Sequence, residues 1–168
     1  ERSCEYFALS RGCTLIYTNL RSFKRDLKQF NPHYMVGVPR LWESLYEGIQ
    51  KQLSEQPRSR QKLVAFFLKN SERYIIANRI AKKMSLEHLN ASAGDRAIAK
   101  IKATALAPLH AVADRLAYGK IRDAVGGNIK TVVSGGGSLA MFLDNFYEIV
   151  NIPLIVGYGL TETSPVTN

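Results

Sequence analysis

Cysteine, histidine and long apolar runs are all scarce in this sequence, and each scarcity narrows the reading. Only two cysteines, Cys4 and Cys13, occur in 168 residues. They form no CxxC pair and share no metal-ligand spacing with histidine, so buried, reduced thiols are expected rather than a disulfide or a zinc site. His33, His88 and His110 are scattered singly, and each is expected at the surface or partly satisfied by local partners. No run approaches the roughly 18–20 apolar residues that a membrane-spanning helix needs. The opening "ERSCEYFALSRG" has charge but no apolar stretch ending in a small-residue cleavage site, so it does not read as a signal peptide. The sequence lacks an initiator Met, starts mid-pattern and stops just past a strand-like run. It therefore reads as a piece of a longer chain, and targeting segments are not legible from it.

Acidic residues are few, and their shortage is local. The net charge is +9. Residues 51–130 hold sixteen Lys and Arg against six Asp and Glu, while the first fifty residues carry +2 and the last thirty-eight carry −3. Any argument about acidic partners therefore concerns the middle of the chain alone.

Apolar periodicity divides the chain into three zones. In residues 1–56, "CTLIYT" (13–18) reads as a strand, and Leu20, Phe23, Leu27 and Phe30 form a helical stripe that stops at Pro32. "HYMVGV" (33–38) is a second strand, and Pro39 opens a helix with Leu41, Leu45, Ile49 and Leu53 on one face. Residues 57–126 hold helical patterns only: a long run through "RYIIANRIAKKM", a polar loop, and a second run interrupted by Pro108 and stopped by Gly126–Gly127. Residues 127–168 return to strand (130–133), glycine loop, helix (about 138–150) and strand (152–156). Met141, Phe142, Asn145, Phe146, Ile149 and Val150 are expected on the buried side of that helix. The fold class implied is α/β, with parallel-sheet βαβ units, crossover helices and a basic all-helical insert.

Two loops carry the chemistry. "SGGG" and "GYGLTET" both follow the C-terminal ends of strands expected to be parallel, which is where open α/β sheets bind ligands. Glycines let backbone amides approach a ligand closely, and a helix start behind them favours an anionic group. Thr161, Thr163 and Ser164 can hydrogen-bond phosphate oxygens, Glu162 is a hard-oxygen ligand suited to Mg²⁺, and Tyr158 can cover a base. Together they suggest a nucleotide. A bland reading stands beside this one: "SGGGS" as a tight strand-to-helix connection with Ser138 as N-cap, and "TETSP" as a capped helix start. The loop matches neither the P-loop nor the GxGxxG fingerprint.

"GYGLTETSP", preceded by "SGGGSL" and a helix of this length, resembles the adenylate-forming (AMP-binding) superfamily. "ERSCEYF", "PHYMVGVPRLWESLYEGIQKQ" and the long basic insert are similar to the long-chain fatty acid activating branch, and most like the acyl-acyl carrier protein synthetases of cyanobacteria and plastids. The resemblance covers essentially all of 1–168 and implies part of the large N-terminal, AMP-binding domain. It implies a two-step reaction, in which a long-chain fatty acid and ATP give an acyl-adenylate and a thiol then takes the acyl group. That thiol belongs to acyl carrier protein or, in the alternative reading, to CoA. By motif, Thr161 contacts the α-phosphate, Glu162 binds Mg²⁺, Tyr158 stacks on adenine, and Gly136, Gly137, Ser138 and Gly157 form the surrounding walls. Two positions depart from the pattern: Ala140 stands where relatives usually have proline, and Val156 where many carry a polar residue. The family's phosphate loop with its lysine, its ribose-binding acid, its hinge and its C-terminal lysine are not in this sequence, so these 168 residues are not expected to catalyse adenylation alone. Exposed sheet edges and apolar faces are expected for the same reason.

The basic stretch 57–126 interleaves cations with Phe66, Phe67, Leu68, Tyr74, Ile75 and Ile76. One reading is a solvated helical face. Two others are peripheral association with anionic lipid and docking of an acidic carrier protein. Nucleic acid ranks last, since no binding module is evident. A cytoplasmic or plastid location follows from the resemblance. A non-catalytic phosphate-binding or interaction module remains the rival of a different class.

Overall fold

The computed structural model describes residues 5–85, 88 and 90–159. Three short apolar runs become strands: β1 (Tyr34–Gly37), β2 (Thr131–Ser134) and β3 (Leu154–Val156). They form one sheet in the order β1-β2-β3, parallel throughout, with Met35, Val132 and Leu154 in register and then Gly37, Ser134 and Val156. Met35, Val132 and Leu154 join the core, and Tyr34, Val36 and Ile155 on the opposite face are exposed. The expected bare apolar sheet face is therefore present.

The helices are α1 (Phe7–Ser10), α2 (Phe23–Phe30), α3 (Pro39–Ser54), α4 (Arg58–Ala81), α5 (Ala93–Ala113), α6 (Gly119–Ala124) and α7 (Met141–Ile149). Pro39 sits in the first turn of α3, where its missing N–H costs nothing. Trp42, Leu45 and Ile49 of α3 pack with Leu143, Phe146 and Tyr147 of α7 in one core around Val132. Gly37 makes that packing close: a Cβ there would stand 2.6 Å from Leu41 Cδ2 and 3.3 Å from the Trp42 ring.

Helices α4 and α5 pair lengthwise, at 24 and 21 residues, roughly 36 and 32 Å long at 1.5 Å per residue. A capping box starts α5: Ser92 Oγ accepts from the Asp95 amide and the Ser92 amide donates to the Asp95 carboxylate. The α5 helix runs through Pro108 to Ala113 without the expected interruption. Neighbouring packing holds it, and the ladder widens only afterwards, into a π turn at Asp114–Tyr118. Gly126 and Gly127 end the run with φ of 107° and 73°. A side chain at Gly126 would meet the Leu27 carbonyl at 3.0 Å, so glycine is required there.

Four further expectations are corrected. Residues 13–18 form no strand, because no partner strand lies beside them among the described residues. Ile16 and Tyr17 are exposed as a result, and so is Cys13, expected as a buried thiol. Cys4 lies outside the described residues. In α2 only Phe23 and Leu27 are buried; Leu20 lies in the turn before the helix and Phe30 at its last position, and both are exposed. On α7 the buried residues are Leu143, Phe146, Tyr147 and Ile149, with Met141 and Phe142 exposed. Phe146, Ile149 and Val150 are buried as expected, but packing against α3 turns Leu143 and Tyr147 inward in place of Met141 and Phe142.

A buried polar chain joins α4, α5 and the π turn. The Tyr118 hydroxyl donates to Ser71 Oγ (2.7 Å), which lies 2.9 Å from His110 Nδ1, and Tyr74 stacks on the His110 ring at 4.7 Å. With Tyr118 donating, the Ser71 proton is left for Nδ1, so the chain closes on neutral imidazole. Burial lowers the His110 pKa against the opposing field of Asp114. Between this lowered value and about 6.5 the unfolded chain binds more protons, so His110 removes stability as pH falls below about 6.5. Thermal unfolding at pH 7.5 and 5.5 tests this: the loss on acidification should be smaller in His110→Gln than in the unsubstituted protein. Equal losses would contradict it.

Candidate functional site

The three strand ends define the site. Gly37, Ser134 and Val156 lie in register at the C-terminal edge of the sheet, and the chain leaves β2 and β3 there through residues 135–140 and 157–159. The two loops start as extensions of the ladder: the Gly135 amide donates to the Gly37 carbonyl (3.0 Å) and the Gly157 amide to the Ser134 carbonyl (2.8 Å). Gly136 has φ of 77°, a conformation glycine adopts without penalty, and Gly136, Gly137 and Ser138 are exposed. Val38 and Pro39, at the head of α3, wall the loop on one side, 3.8 Å and 3.5 Å from the Cβ positions of Gly136 and Gly137. Tyr158 is 63% exposed on the neighbouring loop.

Five of the expected site residues thus lie on one edge: Gly136, Gly137, Ser138, Gly157 and Tyr158. Thr161 and Glu162 lie outside the described residues. Ser138 is not the N-cap of α7. Ala140 takes that position with φ −66° and ψ 137° and no side-chain cap bond. The φ value is the one proline fixes, so a proline would fit at this position without backbone change. The amides of Met141 and Phe142, which open α7 beyond the glycines and Ser138, Leu139 and Ala140, lack partners within the helix, as at any helix start. Exposed amides beside an exposed aromatic ring form an arrangement that can hold a phosphate chain and cover a base.

Sequence reasoning assigned no role to Ser134, the first residue of "SGGG". Its hydroxyl is fully buried at the strand end and has no hydrogen-bond partner among the described residues, as is also true of Trp42 Nε1. Nearby, the Tyr147 hydroxyl donates to the Trp42 carbonyl (2.7 Å), and burial pushes its pKa up.

Two arginines tie the helical stretch to the site, and neither was singled out from sequence. Arg79 of α4 donates to Glu148, Asp144 (2.9 Å) and Asn145 (2.7 Å), all on α7. Its burial opposes ionisation, but the carboxylates of Glu148 and Asp144 outweigh this and raise its pKa. Arg122 of α6 donates to Asp114 and to the Val150 carbonyl (2.8 Å) at the end of α7, and Asn151 donates to the same Asp114 (2.9 Å). The hydrogen bond from Arg122 is the main reason the Asp114 carboxyl titrates below its usual range. The available signal was the i,i+4 pair Asp144 and Glu148 in the one acidic zone of the chain.

A separate cleft lies elsewhere among the described residues. It measures about 1080 Å³, between α4 and α5, and its walls include Arg73, Ile76, Ile80, Asp95, Ile98 and Lys102. No residue of the strand-end loops lines it. Among the described residues no three His, Cys, Asp or Glu side chains gather as for a metal ion, and no described helix is long and apolar enough to cross a membrane.

A family model described as AMP-binding enzyme matches residues 1–168. The chain is 41% identical over 174 residues to "Probable acyl-activating enzyme 16, chloroplastic" of Arabidopsis thaliana, covering 100% of this chain and 24% of that protein. It is 41% identical over 172 residues to "Long-chain-fatty-acid--[acyl-carrier-protein] ligase AEE15, chloroplastic" of the same plant, covering 99% and 24%. With "Long chain acyl-CoA synthetase 1", also from Arabidopsis thaliana, it shares 34% identity, covering 97% of this chain and 21% of that one. The chain therefore spans about a quarter of the length of these curated relatives. No solved structure matches it.

The orphaned Ser134 hydroxyl gives a direct test of the strand-end geometry. A buried, unpaired hydroxyl costs about 1–3 kcal/mol, so Ser134→Ala should stabilise the ligand-free protein by about 1 kcal/mol. The midpoint of urea unfolding should rise with an unchanged slope. A fall in the midpoint would show that the hydroxyl is satisfied.

Proposed function

The chain belongs to the AMP-binding enzyme family, and from that premise we propose that it is part of the adenylating domain of a ligase that activates long-chain fatty acids with ATP and delivers the acyl group to acyl carrier protein. The observation that carries the reading is the pair of loops leaving adjacent parallel strands from one edge, with the Gly135 and Gly157 amides in the ladder and the next residues exposed.

In this reading a fatty acid carboxylate oxygen attacks the α-phosphorus of ATP, the bond to pyrophosphate breaks, and acyl-adenylate forms. A thiolate then attacks the acyl carbon and AMP leaves. The amides of Gly136 and Gly137 and of the first turn of α7 supply donors to phosphate oxygens, Tyr158 covers adenine, and Ser138 and Gly157 wall the site. Thr161 contacts the α-phosphate and Glu162 holds Mg²⁺. The bound ion neutralises phosphate charge that would otherwise repel the incoming carboxylate. Donors fixed in advance at a developing charge are worth more than the same donors in water.

Acyl carrier protein as acceptor is supported by the ligase relative at 41% identity. CoA is the second reading, supported by the acyl-CoA synthetase at 34%. A plastid location is supported by the two chloroplastic relatives. In the helical stretch, Lys62, Lys69, Arg73 and Lys102 are exposed among exposed Phe66, Ile76, Ile98 and Ile101. That surface suits an acidic carrier protein, and equally the peripheral contact with anionic lipid that would bring the enzyme to its fatty acid.

The test uses the full-length protein with a long-chain fatty acid, Mg²⁺ and either holo acyl carrier protein or CoA. Glu162→Gln should lower ATP-to-AMP conversion by about 10²-fold or more, in the range for losing one preorganised charge stabiliser. The acceptor that becomes a thioester identifies the second substrate. Full activity in the variant would remove Glu162 from the site, and no fatty-acid-dependent AMP from the unsubstituted enzyme would favour a binding module.

A further inference from the structure

The two loops of the candidate site hang from the two ends of α7. Residues 135–140 lead into the helix, and residues 150–153 lead out of it to β3, which delivers Gly157 and Tyr158. The helix is nine residues long and has no side-chain cap bond at its start. So short an element is not rigid by itself, and its placement depends on what grips it.

The grip comes from the basic helical stretch. One guanidinium, Arg79, forks onto two consecutive α7 side chains and a third one turn on, bonding Asn145 Oδ1 (2.7 Å), Asp144 Oδ2 (2.9 Å) and Glu148 Oε2 (2.7 Å from Nε). Only an arginine offers that many donors in a fixed plane. At the far end, Arg122 holds the Val150 carbonyl, and Asp114 joins Arg122 to Asn151. Both contacts join residues far apart in sequence, so they fix the helical stretch and α7 as neighbours.

From these contacts we infer that Arg79 is a positioning residue for the nucleotide loops: it sets where α7 sits and thereby where the amides of 135–140 and the ring of Tyr158 are presented. What the loops bind rests on the adenylating reading above; the coupling itself does not.

The experiment uses the full-length enzyme with Arg79→Met, which keeps the aliphatic stem and loses every donor, and Arg79→Lys, which keeps the charge without the fork. KM for ATP should rise about tenfold in Arg79→Met, within the usual 5–150-fold span of coupling between sites, with KM for fatty acid unchanged and Arg79→Lys intermediate. Adding Asp144→Asn and Glu148→Gln to Arg79→Met should raise KM for ATP no further, because the lost contact is the same one. Amide hydrogen exchange without nucleotide should quicken at 135–140 and 157–159 in Arg79→Met. If active-site concentration falls while KM for ATP and loop exchange hold steady, Arg79 is only a structural clamp and the inference is overturned. If Arg79→Met does not fold, the Asp144→Asn, Glu148→Gln pair takes its place with the same expected rise in KM, and an unchanged KM there overturns the inference. Should the unsubstituted enzyme form no AMP, the adenylating reading fails, and loop exchange alone decides the coupling.

Discussion

Parallel pairing obliges a chain that has left one strand to return outside the sheet before it can pair again, and that constraint governs this structure. Between β1 and β2 the return is long, and its described elements are all helical, running through α3, α4, α5, a π turn and α6. Between β2 and β3 it is the single short helix α7. Because the strands are in register, both returns start from the same edge, and the long one must lie against the short one. The glycine loops are therefore flanked by the head of α3 and by a helix that α4 and α6 grip from the side.

The uneven charge acquires a physical meaning in this arrangement. A middle zone of net +10 and a final zone of net −3 look like a basic docking face and a separate acidic segment when only counted. In three dimensions part of the positive excess is turned inward: Arg79 meets Asp144 and Glu148, and Arg122 meets Asp114. These partly buried, multiply bonded pairs differ from exposed ion pairs, whose contribution is small. Lys62, Lys69, Arg73 and Lys102 stay outward among exposed apolar side chains. One basic stretch can thus hold the site and present a surface.

Much of the fold was legible because its signals are local. Pro39 at a helix start, Gly126–Gly127 at a helix end, and the short apolar runs of β1, β2 and β3 each act through backbone geometry that the residue itself sets. What failed depended on partners. "CTLIYT" has strand composition, but a strand exists only beside another, and none lies there among the described residues. Pro108 removes one donor, yet α5 continues, because packing along α4 outweighs one lost bond. Within the site, the glycines and Tyr158 announced themselves by type. Ser134 and Arg79 did not: a serine at a strand end and an arginine in a basic helix are ordinary until tertiary contacts show one orphaned and the other shared among three side chains.

The central claim, that the edge where β2 and β3 end is the face that receives a nucleotide, is tested most directly by photo-crosslinking. The full-length protein would be irradiated with 8-azido-ATP and Mg²⁺, and the labelled peptides mapped with and without competing ATP. ATP-protected label is expected within 135–140 or 154–159, the segment that carries Tyr158. Protected label confined to the walls of the α4–α5 cleft, with none at the strand ends, would contradict it.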